Sequence, residues 1–346
     1  MKSYSKFLAA ALAVAATLAA GRTAALETVS IGIVGAVSDV TLFIAEKQGF
    51  FKAEGLSGNL INFDSGAKMV APLGAGQLDV GAGAWSAGLF NAVERGIGIK
   101  IVADKATNKA PNDYRVVIVR NPLLDDGTIK TFRDFKGRKV GVTAQGAGDN
   151  SSVNEAMKSV GLKIGDVERV YMGFGAQLVA LSNGGIDAAF SAEPDATIAE
   201  RKGIAKKFAP YSSFYPVQET GVILFGSNFI EKHRDTALKF MRAFLRAARF
   251  YDGALVGAHL AGANADVVVQ DMAELTKNPD PSVFRAMDAH WINPDGKIDL
   301  ASLRKDMAFY KEAGDVTGDV KPEQTYDLSF AEAALKELGP YKAASK

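Results

Sequence analysis

A succession of strand, small loop and helix occurs twice in this chain, and this repeat constrains the fold more than any other feature. The first copy is predicted as a strand over 29–34 and a helix over 40–48. The second copy is predicted as a strand over 139–143 and a helix that begins at Asp149 or Asn150. Strands that alternate with helices form βαβ units around a parallel sheet. The pattern therefore predicts an α/β fold.

Later elements of the two copies keep the same spacing. Asp39 precedes Asp149 by 110 positions, and Asp79 precedes Asp187 by 108 positions. The pattern predicts further strands over 61–63, 78–82, 167–171 and 185–190, and helices over 67–75 and from 176 onward. A near-constant offset over several elements predicts two lobes of similar architecture rather than one large sheet.

The remainder of the chain, from about Val222, has a different pattern. A strand over 222–225 precedes a long amphipathic helix over 235–251. Four further helices are predicted over 266–276, 281–289, 300–313 and 330–338. This tail has too few strands for an α/β domain of its own, so we expect it to pack on the first lobe.

The N-terminal segment has the features of a secretory signal. Lys2 and Lys6 precede a 14-residue apolar run over 7–20, and small residues follow at 23–25. A run of this length is too short to cross about 30 Å of hydrocarbon, which needs about 20 residues. We therefore predict a signal peptide over 1–25, cleaved near Ala25, and a soluble periplasmic protein.

Charge and cysteine content limit the partners and the source of stability. Removal of the signal segment takes away Lys2, Lys6 and Arg22 and leaves 37 basic and 39 acidic residues. This balance gives no electrostatic basis for binding nucleic acid or an anionic membrane. The chain has no Cys, so we expect stability to rest on packing without disulfides.

Several motifs in order along the chain resemble one family. They are AEKQGFFKAEGL at 45–56, FRDFKGRKVGV at 132–142, GIDA at 185–188, Glu193-Pro194, and the helix FMRAFLRA at 240–247. In order and spacing they are similar to the SsuA/THI5-like (NMT1-like) solute-binding proteins. These proteins serve importers for sulfonates, taurine, nitrate and the thiamine pyrimidine.

The resemblance implies a type II periplasmic-binding-protein fold, in which two lobes are joined by two hinge crossings. We place the crossings at 108–114 and 219–226, so lobe one is 26–110 plus 223–346 and lobe two is 111–222. Ligands bind outside the carboxyl ends of strands, and the cleft between lobes closes by hinge bending. The implied partners are a small-molecule solute and an ABC permease in the inner membrane, and we expect a monomer.

Candidate ligand contacts of lobe one follow its predicted strands. They are Ser38, Asp39, Val40, Ser65, Gly66, Trp85 and Ser86. Ser65 and Gly66 open a helix whose free N–H groups suit an anion or a carbonyl. The Trp85 indole would stack on an aromatic or sulfonate-bearing solute. The alternatives are an N-cap role for Asp39, an ordinary turn at Gly66 and core packing for Trp85.

Lobe two supplies the facing candidates. They are Gln145, Gly146, Asn150, Ser151, Phe174, Gly175 and Glu193. Carboxylates occur in the loops of both lobes, whereas Lys68 is the only base nearby and no Arg stands in them. Backbone N–H groups alone would have to bind an anion, so a sulfonate-like or nitrate-like solute and a neutral, amine-bearing or heteroaromatic solute both remain open.

Residue types that carry catalysis are scarce. The three His residues all lie in the helical tail, and neither a metal-binding spacing nor a Gly-x-Ser-x-Gly elbow occurs. We therefore expect no catalytic residue, no metal and no cofactor, and a protein that is not an enzyme. The fungal THI5-type synthases resemble this fold but carry a Cys-rich segment. A sensor for a membrane receptor and a secreted enzyme with paired carboxylates remain alternatives.

Overall fold

The structure is a computed structural model that describes residues 25–342. The predicted signal peptide therefore lies almost wholly outside the described residues. Within them the strands are β1 (Glu27–Ile33), β2 (Leu56–Asn62), β3 (Val80–Gly83), β4 (Lys100–Lys109), β5 (Arg115–Arg120), β6 (Lys139–Val142), β7 (Glu168–Tyr171), β8 (Ala188–Ala192), β9 (Ala205–Pro210), β10 (Val217–Phe225), β11 (Leu255–Val256) and β12 (His259–Leu260).

Helices surround these strands. They are α1 (Val40–Lys47), α2 (Phe50–Ala53), α3 (Gly66–Gly74), α4 (Ala87–Glu94), α5 (Asn121–Asp125), α6 (Gly148–Lys158), α7 (Phe174–Asn183), α8 (Asp195–Arg201), α9 (Ser227–Lys232), α10 (Arg234–Asp252), α11 (Ala265–Thr276), α12 (Pro281–Ala286), α13 (Leu300–Glu312) and α14 (Ser329–Leu338). Over residues 25–342, every helix is too short or too polar to span a bilayer.

Two five-stranded sheets share one topology. The first has the order β2-β1-β3-β10-β4, and the second has the order β7-β6-β8-β5-β9. In the first sheet β1 is parallel to both neighbours, while β10 is antiparallel to β3 and β4. In the second sheet β6 and β5 occupy the corresponding positions with the same directions. The prediction of an α/β chain with two similar lobes is confirmed.

The chain passes between the sheets twice. It leaves β4 at Lys109 and enters β5 at Arg115, within the crossing predicted at 108–114. It returns between Pro210, at the end of β9, and Val217, at the start of β10. The second crossing was expected at 219–226, and this position is wrong because those residues lie mostly in β10. The polar residues that begin β10 concealed its true length.

Other elements were missed as well, and polar residues explain this for β4 but not for the apolar β5. Strands β4, β5 and β9 and helices α4 and α8 were not predicted, and the strand expected at 61–63 is only the end of β2. Strand β4 contains Asp104, Lys105, Thr107 and Asn108, all of which are buried. Buried charged residues are rare unless they are paired, so such a segment does not show the apolar pattern of a central strand.

The C-terminal tail packs on the first sheet. The apolar face of α10 joins the core formed by β1, β10 and α1. At its centre the Phe225 ring lies 5.6 Å from the Phe240 ring and 5.1 Å from the Phe330 ring, both edge-on. These rings link β10 to α10 and α14, so the tail and the first sheet share one hydrophobic core.

Phe225→Ala tests this shared core. We expect it to lower the free energy of unfolding by about 3–5 kcal/mol, since a buried ring is removed among rings that hold one another in place. Urea titration followed by circular dichroism measures the change. Val179→Ala, at a side chain that is 63% exposed, serves as the control and should have little effect. A loss below about 1 kcal/mol for Phe225→Ala would contradict the described packing.

Candidate functional site

A small chamber of about 50 Å³ lies between the two sheets. Both lobes and both crossings contribute to its walls. The lining residues are Val34, Ala36, Ser38, Asp64, Ser65, Gly66, Ala67, Gly83, Ala84, Lys105, Tyr114, Arg115, Thr143, Ala147, Gly148, Asp149, Ser152, Phe174, Tyr211, Gln218, Glu219 and Thr220. We call this space the inner chamber. Its position is the cleft that the two-lobed architecture predicts.

Arg115 is the most unusual residue of the inner chamber. It stands at the start of β5, directly after the first crossing, and only 8% of it is exposed. Its Nη2 donates to the Tyr211 hydroxyl at 3.3 Å, and its guanidinium lies 4.9 Å from the centre of the Phe174 ring. Among residues 25–342 it forms no ion pair, and its Nε–H has no acceptor. The buried Asp149 carboxylate attracts this guanidinium without a direct contact. The N–H donors that remain without an acceptor suit the group to an anionic ligand.

A second buried cation stands nearby but is already neutralised. The Nζ of Lys105 lies 2.5 Å from the Asp39 carboxylate and donates to the Ala82 carbonyl at 3.1 Å. The same carboxylate accepts from the backbone N–H groups of Val34 and Ala36. The expected N-cap bond from Asp39 to the start of α1 does not form. Asp39 instead fixes the loop after β1 and balances Lys105.

Two helices direct their N-termini at the inner chamber. Ser65 and Gly66 begin α3, and Ala147 and Gly148 begin α6. The Ser65 hydroxyl is buried and has no partner among the described residues. A Cβ at Gly66 would lie 2.3 Å from the Ala84 carbonyl oxygen, so the close approach of α3 to this loop requires glycine. Free N–H groups and the helix dipole favour negative charge at both positions.

Two acids form a buried pair in the strands of the first sheet. Glu219 of β10 lines the chamber, and Asp104 of β4 lies behind it. Burial raises the pKa of both carboxyls, and the charge of Asp104 raises the pKa of Glu219 further. Asp104 also accepts from the Thr107 hydroxyl and the Asn293 N–H. The pair therefore takes up a proton more readily than two separate carboxyls would, which limits the negative charge beneath the chamber.

A larger space of about 740 Å³ adjoins the inner chamber, and we call it the outer chamber. Phe174 and Asp64 line both spaces, so the Phe174 ring stands between them. Gly175 and Glu193 line only the outer chamber. The Glu193 carboxylate is paired with Lys207 at 2.6 Å and accepts from the Thr197 N–H, so its charge is already compensated.

The structure brings only some of the sequence-predicted residues to these spaces. Ser38, Ser65, Gly66 and Phe174 line the inner chamber. Gln145 is exposed and lines a separate groove of about 530 Å³ at the surface. The other predicted residues, apart from the two already assigned to the outer chamber, line none of these spaces; they are Asp39, Val40, Trp85, Ser86, Gly146, Asn150 and Ser151.

Trp85 is the clearest correction among them. Its side chain is only 1% exposed, it belongs to the hydrophobic core, and its Nε1–H donates to the Asp306 carboxylate at 2.8 Å. The hypothesis that its indole stacks on the solute is therefore wrong. Val40 is likewise buried in the core. The residue type suggested a binding surface, but the chain buries the ring instead.

The remaining predicted residues have structural contacts of their own. Ser86 caps α4 by accepting from the Leu89 N–H at 3.2 Å. Asn150 donates to the Ala144 carbonyl and accepts from Arg169. Ser151 donates to Asp306 across the lobes at 2.5 Å. The Gly146 carbonyl accepts from the Ala87 N–H at 3.0 Å and joins the lobes directly.

Sequence reasoning missed the charged and aromatic residues beside the crossings. The segments that pass between the sheets carry or adjoin Arg115, Tyr211, Gln218 and Glu219, while Lys105 lies within β4. The predicted loops contain no Arg, but Arg115, outside them, supplies one to the cleft. A usable signal existed, because residues adjoining a crossing must face the space between the lobes. Residues 25–342 contain no group of three His, Cys, Asp or Glu side chains that could hold a metal.

Comparison with known proteins identifies the family. The family model described as NMT1/THI5 like matches residues 38–251. The chain belongs to the NMT1/THI5-like family. This match confirms the resemblance that the motifs at 45–56 and 185–188 indicated.

Two relatives of this NMT1/THI5-like protein differ in described role. A 4-amino-5-hydroxymethyl-2-methylpyrimidine phosphate synthase from Aspergillus parasiticus is 26% identical over 307 residues, covering 82% of this chain and 81% of that protein. A protein described as a binding protein from Brucella abortus is 28% identical over 211 residues, covering 59% of this chain and 60% of that protein. The chain thus matches less than two thirds of the Brucella relative.

Solved structures establish the fold. The periplasmic nitrate-binding protein NrtA from Synechocystis PCC 6803 has a TM-score of 0.75 at 12% identity and covers 91% of this chain and 89% of its own. The ligand-binding component of an ABC-type import system from Staphylococcus aureus has a TM-score of 0.72 at 15% identity. The match covers 89% of this chain and 99% of that protein. The alkanesulfonate-binding protein SsuA from Xanthomonas axonopodis pv. citri has a TM-score of 0.68 at 14% identity. The match covers 88% of this chain and 99% of that protein. The type II periplasmic-binding-protein fold is confirmed.

The Glu219–Asp104 pair predicts a pH dependence of stability for this NMT1/THI5-like protein. The folded pKa of Glu219 lies above its ordinary value of 4.5, so the folded state binds this proton more tightly than the unfolded state. The stabilisation is complete below about pH 4.5 and is lost as the pH rises through the folded pKa. Glu219→Gln should flatten the fall of unfolding free energy above pH 4.5, as measured by urea titration across pH. Exposed Glu332→Gln is the control. If unfolding free energy falls equally steeply with pH in Glu219→Gln and in the parent, the raised pKa of Glu219 in the folded state is contradicted.

Proposed function

We propose that this protein is the periplasmic solute-binding component of an ABC-type importer. It captures a small solute in the inner chamber and delivers it to a permease in the inner membrane. The observation that carries the proposal is the buried Arg115, which forms no direct ion pair among the described residues, keeps an Nε–H without an acceptor and faces a space enclosed by both lobes. Family membership and the binding roles of NrtA, SsuA and the Staphylococcus component support it.

The polar groups of the inner chamber favour a solute with a compact oxyanion. A carboxylate, sulfonate or nitrate oxygen would accept from the free Arg115 Nε–H and from the Ser65 hydroxyl. The N-terminus of α6 would complete the set from the second lobe. An ion pair with Arg115 would offset the cost of its burial. These donors suit the oxygen atoms of sulfonate-like and nitrate-like solutes.

A second solute class is supported by other residues of the same chamber. The Asp149 carboxylate faces the inner chamber, and burial raises its pKa. Tyr211 and Phe174 offer aromatic faces on either side of Arg115. An amine-bearing or heteroaromatic solute would therefore donate to Asp149 and stack on these rings. The outer chamber leaves space for a tail that extends beyond Phe174.

We propose that the two lobes, 26–110 with 223–346 and 111–222, close around the solute. The start of β10 at Val217 moves the functional boundary a few residues before 223. Direct contacts join the cleft edges, since the Ala87 N–H donates to the Gly146 carbonyl at 3.0 Å. A Cβ at Gly148 would approach the Ala84 Cβ to 3.0 Å, so a small residue there permits this closure. We expect a monomer, which light scattering would check.

Catalysis and sensing are the competing functions. The Aspergillus relative is a synthase, so an enzyme on this fold has a precedent within the family. A binding protein holds its solute unchanged, whereas an enzyme would convert it, and mass spectrometry of the released solute distinguishes the two. A sensor would hand its solute to a membrane receptor, and genes for a permease and an ATPase beside this one would favour import.

Arg115→Met is the decisive variant. We expect affinity for the bound solute to fall by about 100-fold and Arg115→Lys to lose about tenfold, since Lys lacks the planar fork. Calorimetry is applied to solutes selected by thermal shift from alkyl sulfonates, taurine, nitrate, aromatic acids and pyrimidines. The solute-free variant should unfold at the same or a higher temperature than the parent, because a buried charge without a direct ion-pair partner is removed.

Exposed Arg133→Met makes the same charge change outside the cleft and serves as the control. It should leave affinity unchanged. Undiminished binding by Arg115→Met would place the solute elsewhere and contradict the proposed site. If the parent binds no member of the panel and converts one of them instead, the import function itself is wrong.

A further inference from the structure

We infer that Asp306 is a positioning residue that holds the two lobes closed, by accepting hydrogen bonds from both lobes and from the second crossing. The inference rests on the proposed function, because closure matters for a cleft that retains a solute. Asp306 lies on α13 in the C-terminal tail and is fully buried. It does not line the inner chamber, so it acts through the residues that it contacts.

Three donors converge on this one carboxylate. Its Oδ2 accepts from the Trp85 Nε1–H at 2.8 Å. Its Oδ1 accepts from the Ser151 hydroxyl at 2.5 Å and from the Tyr215 hydroxyl at 2.9 Å. Charge-assisted hydrogen bonds of this kind are about twice as strong as neutral ones. The buried carboxylate therefore depends on all three donors to replace water.

The three donors belong to different parts of the molecule. Trp85 follows β3 in the first lobe, Ser151 lies in α6 of the second lobe, and Tyr215 lies in the second crossing. Two of them adjoin the walls of the inner chamber, since Ala84 precedes Trp85 and Ser152 follows Ser151. Opening the cleft would carry α6 away from α13. Asp306 would then lose the Ser151 donor while it remained buried against Trp85 and Tyr215.

Other contacts hold α13 against α6 on either side of Asp306. Lys305 forms an ion pair with Glu155 at 2.6 Å, and its Nζ lies 3.9 Å from the centre of the Tyr215 ring. Lys158 pairs with Glu312 at 3.5 Å. These pairs are partly exposed and are therefore weak. The Ser151–Asp306 bond is the buried link between the two helices.

Ser151→Ala tests the inference with little risk to folding, and Ser159→Ala is the matched control. Ser159 lies next to the C-terminal end of α6, and its hydroxyl donates to the Ala156 carbonyl of the same lobe. The chain has no Cys, so V179C and V256C place two spin labels, one on each lobe, at exposed positions. Electron–electron dipolar spectroscopy on the solute-free protein then reports the distribution of lobe separations.

We expect Ser151→Ala to increase the ratio of separated to closed lobes by about tenfold, which corresponds to the loss of one charge-assisted bond. Ser151→Thr keeps the hydroxyl and should preserve the parent distribution, as should the Ser159→Ala control.

In a W291F background Trp85 is the sole Trp, and its emission should change in Ser151→Ala and in Asp306→Asn. Unchanged distances and emission in Ser151→Ala would overturn the inference. These measurements need no solute, so a failed solute panel would count against the proposed function alone.

Discussion

A guanidinium held between two sheets without a direct ion pair is the constraint around which this cleft is arranged. Arg115 reaches its position because β5 begins directly after the chain leaves the first sheet. Its surroundings limit other charges, since Lys105 is paired to Asp39 and burial beside Asp104 raises the pKa of Glu219. The unpaired donor capacity of Arg115 is thereby left for a molecule that enters from outside.

The repeated strand and helix pattern made the two-lobed fold predictable, since apolar strands and Gly-rich loops follow directly from backbone geometry and burial. Strands β1, β6 and β8 were found from their apolar residues, although β5 has the same pattern and was missed. Strands β4 and β10 were missed, or shortened, because they carry Asp104, Lys105 and Glu219 into the protein interior. Local pattern cannot distinguish such strands from loops, because the partners that make their burial tolerable are distant in sequence.

The same physical reason explains the mixed success at the site. Ser65 and Gly66 were found from the rule that helix N-termini follow strand ends, and the structure places them in the inner chamber. Trp85 followed the same rule and was wrong, because Asp306, 221 positions later, accepts from its indole and keeps it in the core. Loop position indicates where a ligand can approach. It does not indicate which side chains are buried by contacts with residues distant in the sequence and are therefore unable to reach the ligand.

The return of β10 to the first sheet has a consequence for the order in which the molecule assembles. The second sheet is built from one continuous segment, β5 to β9, so its pairings need no residue outside 115–210. The first sheet stays open until β10 fits between β3 and β4, after the whole second lobe has been made. Non-local pairing of this kind is slow compared with local pairing. The first sheet therefore cannot be completed before the segment that forms the second lobe has been synthesised, whereas the second sheet can.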